Sequence, residues 1–519
     1  MARQALACKG EMVAVALSDA VVFFANDAAE AVVLRPTPES DAAAASAASG
    51  LTATPTGKPI QRDAGATTDV VALVFNGDGT LLIVADADKT VRVWSLAAAG
   101  GGPRCVGVRR LAKKLTALAV APLAAGVEAV CVGDKTGEVC ALPLPGLGSC
   151  APLLGHTASI VTGLAALPPR VAGGRWQLAS SDRDEKVRVS RWPQACIIDA
   201  YCLGHTEYVT AVAALPPLGP RASLASISGD GAVRLWDGSD GTLLGEAYGH
   251  AMPHLGDAAG DAASIAESIV APEVESEEEG EEEGGPGLVP VALAASDAGF
   301  GGGSAADMAL AVAFAGSPSA VLFGLPSSSM SSSCGPAQRL PCLAGVALPE
   351  PPAALTLASG ASDSADGGIG FLLALCPSPP LLHRFALHRL AGGQGLAARP
   401  AACGAASKLV AVAGALGVSV LPALAMADHD LAATEGGDGA DEDGAGDDGK
   451  GVGATGEGCG KKNTKAKGEL FDLGTSELRK KKVSNTNADW NSKKRFKGKG
   501  EGGGAAVASG ESNGDGEEE

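Results

Sequence analysis

The sequence predicts an all-β chain of repeated four-stranded units set radially about an axis, followed by a tail without regular structure. Four observations predict it. Four apolar strand patterns end on anchors at Trp94, Leu142, Ser190 and Trp236, spaced by 48, 48 and 46 residues. Three of these patterns carry an aspartate six residues before the anchor: Asp88, Asp184 and Asp230. A Gly-His pair recurs upstream at Gly155-His156, Gly204-His205 and Gly249-His250. Finally, 72 Gly and 31 Pro among 519 residues, with only 3% aromatics, favour turn-rich structure over long helices.

Each unit reads as one blade. Val91 and Val93, Val187 and Val189, and Val233 and Leu235 alternate with Arg92, Arg188 and Arg234, as a strand requires. The aspartate is placed to hold the tight turn before that strand by accepting backbone N–H groups, which assigns Asp88, Asp184 and Asp230 to turns. His205 lies upstream of Trp236-Asp237 in the order of a WD repeat, and His205, Trp94 and Trp236 join the blade framework. A single blade cannot bury both faces, so blades stack around an axis: the fold class is a WD-repeat β-propeller.

The weaker blades follow from spacing. Phe24, after MVAVAL and AVVFF, lies 70 residues before Trp94, and the excess over one period falls in a Pro/Ala/Ser/Thr stretch at 36–66. Phe323, after ALAVAF and AVLFGL, lies 87 past Trp236, and that excess matches 251–286, with eight glutamates between 273 and 283. IGFLLAL, LLHRFAL and then KLVAVAGALGVSVL supply strands for the last blade and for closure, with N- and C-terminal strands paired. The uncharged stretch 409–427 is thus expected to form two short buried strands around a turn rather than a membrane span. Seven blades fit best, eight being the alternative count. The propeller is assigned to residues 1–427. Residues 428–519 are a low-complexity acidic and basic tail, disordered by composition.

The formal charge of −19 argues against the propeller as the main nucleic-acid surface. It is unevenly spread, because residues 450–500 carry fourteen Lys/Arg against five Asp/Glu. The twelve cysteines form no C-x-x-C pair and show no zinc spacing, as expected of reduced thiols in an intracellular protein. No basic segment followed by an apolar run opens the chain, so a secretory signal is not expected.

No catalytic constellation is legible. Gly451, Gly453 and Gly456 match a dinucleotide fingerprint without the strand and helix it needs. GxxxxGK at 444–450 is followed by Gly451 where a phosphate loop needs Ser or Thr. No HExxH pattern occurs, and no nucleophile, base and oxyanion site assemble. Asp182, Asp184 and Glu185 are interleaved with Arg183, Lys186 and Arg188, which favours ion pairs over acid–base or metal chemistry. The chain is therefore read as a non-enzyme without cofactor or metal.

The stretch 178–237 is more specific. LASSDRDEKVRVSRWPQACIIDAYCLGHTEYVTAVAAL, followed by LASISGDGAVRLWD, resembles the WD-repeat non-catalytic subunit of the tRNA (guanine-N7-)-methyltransferase. The distinctive part is SDRDEKVRVS with a short link to CLGHTEYV. KKLTALAV at 113–120 and VGDKTGEV at 132–139 extend the likeness weakly upstream. The resemblance implies a heterodimer with a separate methyltransferase chain, which binds S-adenosylmethionine and most of the tRNA. It implies that the WD-repeat subunit stabilises and activates that chain, the product being N7-methylguanosine at position 46 of tRNA. In that family a basic side chain of this block pairs with a partner carboxylate, which points to Arg183, Lys186 and Arg188, with Lys113 and Lys114 at the same rim. The competing reading is a generic WD-repeat scaffold in ubiquitin ligation or ribosome assembly.

The tail has two basic clusters, Arg479, Lys480, Lys481 and Lys482, and Lys493, Lys494 and Arg495. They fit nuclear import signals, RNA-phosphate contacts or a solvated linker. Nuclear import is favoured, and the expected location is the nucleus, with no membrane association.

Overall fold

The computed structural model describes residues 4–26, 29–37, 69–96, 102–124, 126–171, 173–216, 222–248, 288–296, 309–325, 337–359, 369–389 and 396–420. Nearly all of the 36–66 stretch, the 251–286 stretch, Gly249-His250 and the tail with its two basic clusters lie outside these residues.

Seven sheets follow one another along the chain. Blade 1 holds β1 (Leu6–Lys9), β2 (Met12–Ala16), β3 (Val21–Phe24) and β4 (Val32–Leu34). Blade 2 holds β5 (Val70–Phe75), β6 (Leu81–Asp86), β7 (Thr90–Ser95) and β8 (Arg104–Arg110). Blade 3 holds β9 (Leu115–Ala124), β10 (Val127–Asp134), β11 (Glu138–Pro143) and β12 (Ala151–Gly155). Blade 4 holds β13 (Val161–Leu167), β14 (Gln177–Asp182), β15 (Val187–Arg191) and β16 (Ile198–Cys202). Blade 5 holds β17 (Val209–Ala214), β18 (Ala222–Ser228), β19 (Ala232–Asp237) and β20 (Leu243–Tyr248). Blade 6 holds β21 (Pro290–Ala295), β22 (Ala309–Phe314), β23 (Ser319–Gly324) and, after β24 (Gln338–Arg339), β25 (Cys342–Ala347). Blade 7 holds β26 (Ala354–Ser359), β27 (Gly370–Leu375), β28 (Leu382–Arg389) and β29 (Leu396–Ala401).

Within blades the pairing is antiparallel; β24 leaves blade 6 and pairs in parallel with β20. The anchors Trp94, Leu142, Ser190 and Trp236, with Phe24 and Phe323, all fall on the third strand of a blade. The innermost strands ring a central cavity of about 280 Å³ to which each blade contributes, among others Cys8, Phe75, Thr116, Thr162, Val212, Leu293 and Thr356.

The apolar core lies in the seams between blades. Trp236, wholly buried, packs with Leu167, Ala179 and Val189 between blades 4 and 5. Phe323, Phe314 and Leu235 fill the next seam, and Val93, Val130 and Leu142 fill the one between blades 2 and 3. Burying a side chain of this size is worth roughly 1.5–3 kcal/mol, so each seam is a strong bond between neighbours.

Closure differs from the expectation. β1–β4 pair among themselves, as do β26–β29, so among the described residues no N-terminal strand joins the last blade. The segment expected to supply closing strands is instead helix α1 (Gly404–Leu416). Ala405, Leu409 and Ala413 recur every four residues and form its buried face, a helical rather than a strand period. Gly417 ends the helix at φ 65°, where a residue without Cβ is favoured. α1 shares one core with Leu6, Val15, Leu17 and Phe24 of blade 1 and Leu375 of blade 7. The Ser18 N–H donates to the Ser419 carbonyl at 2.9 Å, and Lys408 Nζ to the Ala29 carbonyl at 2.7 Å. The ring is therefore clasped by a helix over the junction of its first and last blades. Among the described residues no helix is long and apolar enough to cross a membrane.

Candidate partner-docking rim

In blade 5 the expected framework is complete. Asp230 accepts from the Ala232 N–H at 2.9 Å and meets His205 Nδ1 at 2.9 Å. His205 Nε2 lies 2.7 Å from Ser226 Oγ, which accepts the Trp236 Nε1–H at 2.7 Å. Burial lowers the His205 pKa and keeps the imidazole neutral. Nδ1–H then donates to Asp230, Nε2 accepts the Ser226 hydroxyl, and both ring nitrogens of His205 and the Trp236 N–H are satisfied. Burial raises the Asp230 carboxyl, but the hydrogen bonds it accepts outweigh that and hold it below the ordinary carboxylate value.

Blade 4 departs from this pattern. Asp184, the aligned equivalent of Asp230, does not hold the turn: its side chain is 41% exposed and lies 3.3 Å from Arg183 Nε. Asp182 holds it instead. Its Oδ1 accepts from the N–H groups of Asp184 at 2.9 Å and Lys186 at 3.0 Å, and its Oδ2 meets His156 Nδ1 at 2.7 Å. His156 Nε2 reaches Ser180 Oγ at 2.9 Å, and Ser190 stands where blade 5 has Trp236. The reason is position. Asp182 ends β14 facing inward beside the histidine, whereas Asp184 sits at the outer bend. Burial raises the Asp182 carboxyl, and the bonds from His156 and Lys186 overcome it and hold it low.

This rearrangement changes the fate of the arginine row. In blade 2 Arg92 is buried on the carboxylate of Asp86, the residue aligned with Asp182. In blade 5 Arg234 is buried 3.4 Å from both Asp230 and Glu246 and 3.1 Å from the Tyr248 hydroxyl. Arg188 occupies the same register and is only 9% exposed, yet its aligned carboxylate is taken by His156. Its two terminal nitrogens reach the Gly155 carbonyl at 3.3 Å, and Nε has no partner among the described residues. Arg188 is thus a buried guanidinium served by a neutral carbonyl in place of a counterion. Arg188, unlike Lys186, is not an outward-facing charge.

The remaining basic residues do share one rim. The Lys135 N–H donates to the Lys114 carbonyl, the His156 N–H to Gly137, and the Arg183 N–H to Ile160, at 2.8–3.0 Å. These bonds stitch the loop before blade 3, its second turn, the loop before blade 4 and the 183–186 turn into a continuous edge. Lys113, Lys114, Lys135 and Lys186 are exposed on it, and Arg183 is half-buried. Lys186 Nζ rests on the Asp184 carbonyl at 3.1 Å. The sequence pattern assigned Asp182 to ion pairs rather than to the turn, and left Lys135 out of the rim. The DKTG turn, aligned with the other blade turns, was the available signal for Lys135. Asp88 holds its turn by accepting the Thr90 N–H at 3.1 Å, and Trp94 is buried. Among the described residues no group of three His, Cys, Asp or Glu is placed to hold a metal.

The fold, the Asp230–His205–Ser226–Trp236 hydrogen bonds and the turn aspartates define a WD-repeat β-propeller, and residues 57–95 match the family described as WD domain, G-beta repeat. Residues 147–252, which include His156, Asp182 and Arg188, match the family described as tRNA methyltransferase TRM82 WD40 domain. The likeness to the WD-repeat non-catalytic subunits of tRNA (guanine-N7-)-methyltransferase thus holds. The Xenopus laevis subunit wdr4 is 31% identical over 33% of this chain and 40% of its own length. The human subunit WDR4 is 30% identical over 36% of this chain and 41% of its own length. The Anopheles gambiae subunit wuho is 30% identical over 44% and 56%. All three are named tRNA (guanine-N(7)-)-methyltransferase non-catalytic subunits. The chain covers about two-fifths to just over half the length of these relatives.

Proposed function

We propose that this chain is the non-catalytic subunit of a tRNA (guanine-N7-)-methyltransferase. It forms a heterodimer with the catalytic chain and stabilises that chain's active conformation for N7-methylguanosine formation at position 46 of tRNA. S-adenosylmethionine and most of the tRNA belong to the partner, and the complex works in the nucleus. The observation that carries the reading is Arg188. Leaving a charge buried without a counterion is costly. The two arginines in the same register have carboxylates, and this one lacks its own. A carboxylate from the partner completes the site, flanked by Arg183, Lys186, Lys113 and Lys114. This is a docking device; no residue of the rim touches reacting atoms.

The test is capture of the full chain from its own cells. The expected result is recovery of a methyltransferase chain as the main partner, with Lys186→Glu reducing recovery at moderate salt. Recovery of a cullin adaptor instead, with no methyltransferase, overturns the proposal in favour of a general scaffold. A null line with unchanged N7-methylguanosine in tRNA also overturns it.

A further inference from the structure

We propose that blade 4 carries a second docking site, at the end away from the rim, for a peptide segment of another protein that joins acidic to apolar residues. A cavity of about 350 Å³ opens there between the 168–176 loop, β14, β15, β16 and the start of β18. Three arginines line it, Arg170, Arg175 and Arg191, against one carboxylate, Asp199. In a chain with a formal charge of −19 this is a local reversal of sign. The sheet builds the site. Gln177 on β14 pairs with Arg191 on β15. Asp199 on β16 meets Arg191 Nε at 2.6 Å and accepts from Gln177 Nε2 at 3.0 Å. The Gly238 N–H donates to Ser223 Oγ at 2.6 Å and fixes the wall on the side of blade 5.

Asp199 is engaged by Arg191, whereas Arg175 is exposed and makes no hydrogen bond or ion pair among the described residues. Its guanidinium is the charge left for a ligand. The flanks are apolar. Val171, 70% exposed, stands on the wall with Pro168 and Pro169. Ile197 and Ile198, immediately before Asp199, are also exposed, and the Arg191 N–H donates to the Ile197 carbonyl at 2.9 Å. These are three of the seven large apolar side chains exposed among the described residues, so exposed apolar surface gathers where the positive charge does. That combination selects the occupant. Arginine forks match carboxylates, and the exposed Val and Ile match an apolar side chain beside them. A nucleic-acid strand would find no lysine and no aromatic ring in the lining. Gln177 and Asp182 are the two ends of β14, about 17 Å apart, and the rim takes the Asp182 end. A partner seated on the rim leaves this site facing the other way, so the two contacts are independent.

The test pans random dodecapeptides displayed on phage against the immobilised full chain, after depletion on the double variant Arg175→Glu, Val171→Asp. The enriched peptides are then measured by fluorescence anisotropy. They should carry Asp or Glu beside Leu, Ile, Val or Phe. Arg175→Glu alone and Val171→Asp alone should each weaken them about tenfold or more, while Lys186→Glu on the opposite rim leaves them unchanged. Both altered positions are exposed, so the variants keep the fold, which circular dichroism checks. No enrichment, enriched peptides without acidic residues, or binding retained in either single variant overturns the proposal. So does a decauridine that binds more tightly than the best peptide and is lost in Arg175→Glu, since the site would then take a nucleic-acid phosphate.

Discussion

Replacing Ser226 by alanine isolates the framework of blade 5. Its hydroxyl is the hub between His205 Nε2 and Trp236 Nε1, each 2.7 Å away, and Trp236 is wholly buried. Removing it leaves two buried polar groups without partners, at about 1–3 kcal/mol each. The expected loss is about 2–6 kcal/mol. The matching change in blade 4, Ser180→Ala, strands only His156 Nε2, because Ser190 stands in the tryptophan position. That loss should be about 1–3 kcal/mol. For a propeller of this size one kcal/mol moves the melting temperature by about 1 °C, so the two variants should melt about 2–6 °C and about 1–3 °C lower. Calorimetry and urea unfolding of both variants check the ordering. If Ser180→Ala costs as much as Ser226→Ala, or Ser226→Ala costs under about 1 kcal/mol, the reasoning about the hub fails.

Asp182→Asn should destabilise by about 1–3 kcal/mol, because its carboxylate serves His156 and two N–H groups, whereas Asp184→Asn should stay within about 0.5 kcal/mol; urea unfolding separates them. The Asp182 and Asp230 carboxyls are held low in the folded state, so their stabilisation is full above the ordinary value near pH 4 and is lost as pH falls through the depressed folded value. Asp182→Asn should therefore flatten the acid limb of stability against pH, read by tryptophan fluorescence. Leu409→Ala empties a wholly buried site under the clasping helix and should cost about 2–5 kcal/mol, with hydrogen exchange rising first across β1–β4 and α1. Lys89 holds φ 71° in the turn of blade 2, so Lys89→Gly should raise stability by up to about 1 kcal/mol by calorimetry.

The period and the anchors made most of the propeller legible, because Trp94, Leu142, Ser190 and Trp236 each mark the third strand of a blade whatever its side chain. Closure was not legible. KLVAVAGALGVSVL is apolar at both strand and helix spacings, and only its packing over β1–β4 selects the helix. Alignment placed Asp184 with Asp230 correctly in register. It could not foresee that His156 would take the carboxylate two residues earlier, since a histidine's partner depends on the sheet and not on the spacing. The same exchange strips Arg188 of a counterion. Sequence reading named Arg188 for the interface without its environment; the structure buries it and leaves its charge without a carboxylate.

The most direct measurement replaces Arg188 with methionine and follows both the isolated subunit and the complex. A buried charge without a counterion adds little to stability, so the isolated variant should melt at or above the unaltered temperature. Its affinity for the catalytic chain should fall by about 30-fold or more, as when one side of a buried ion pair is removed, and methyl transfer to tRNA at limiting subunit should fall with it. A destabilised variant that still binds and activates the methyltransferase fully would contradict the account: Arg188 would be a framework residue only, and the rim of blade 4 would not be the docking surface.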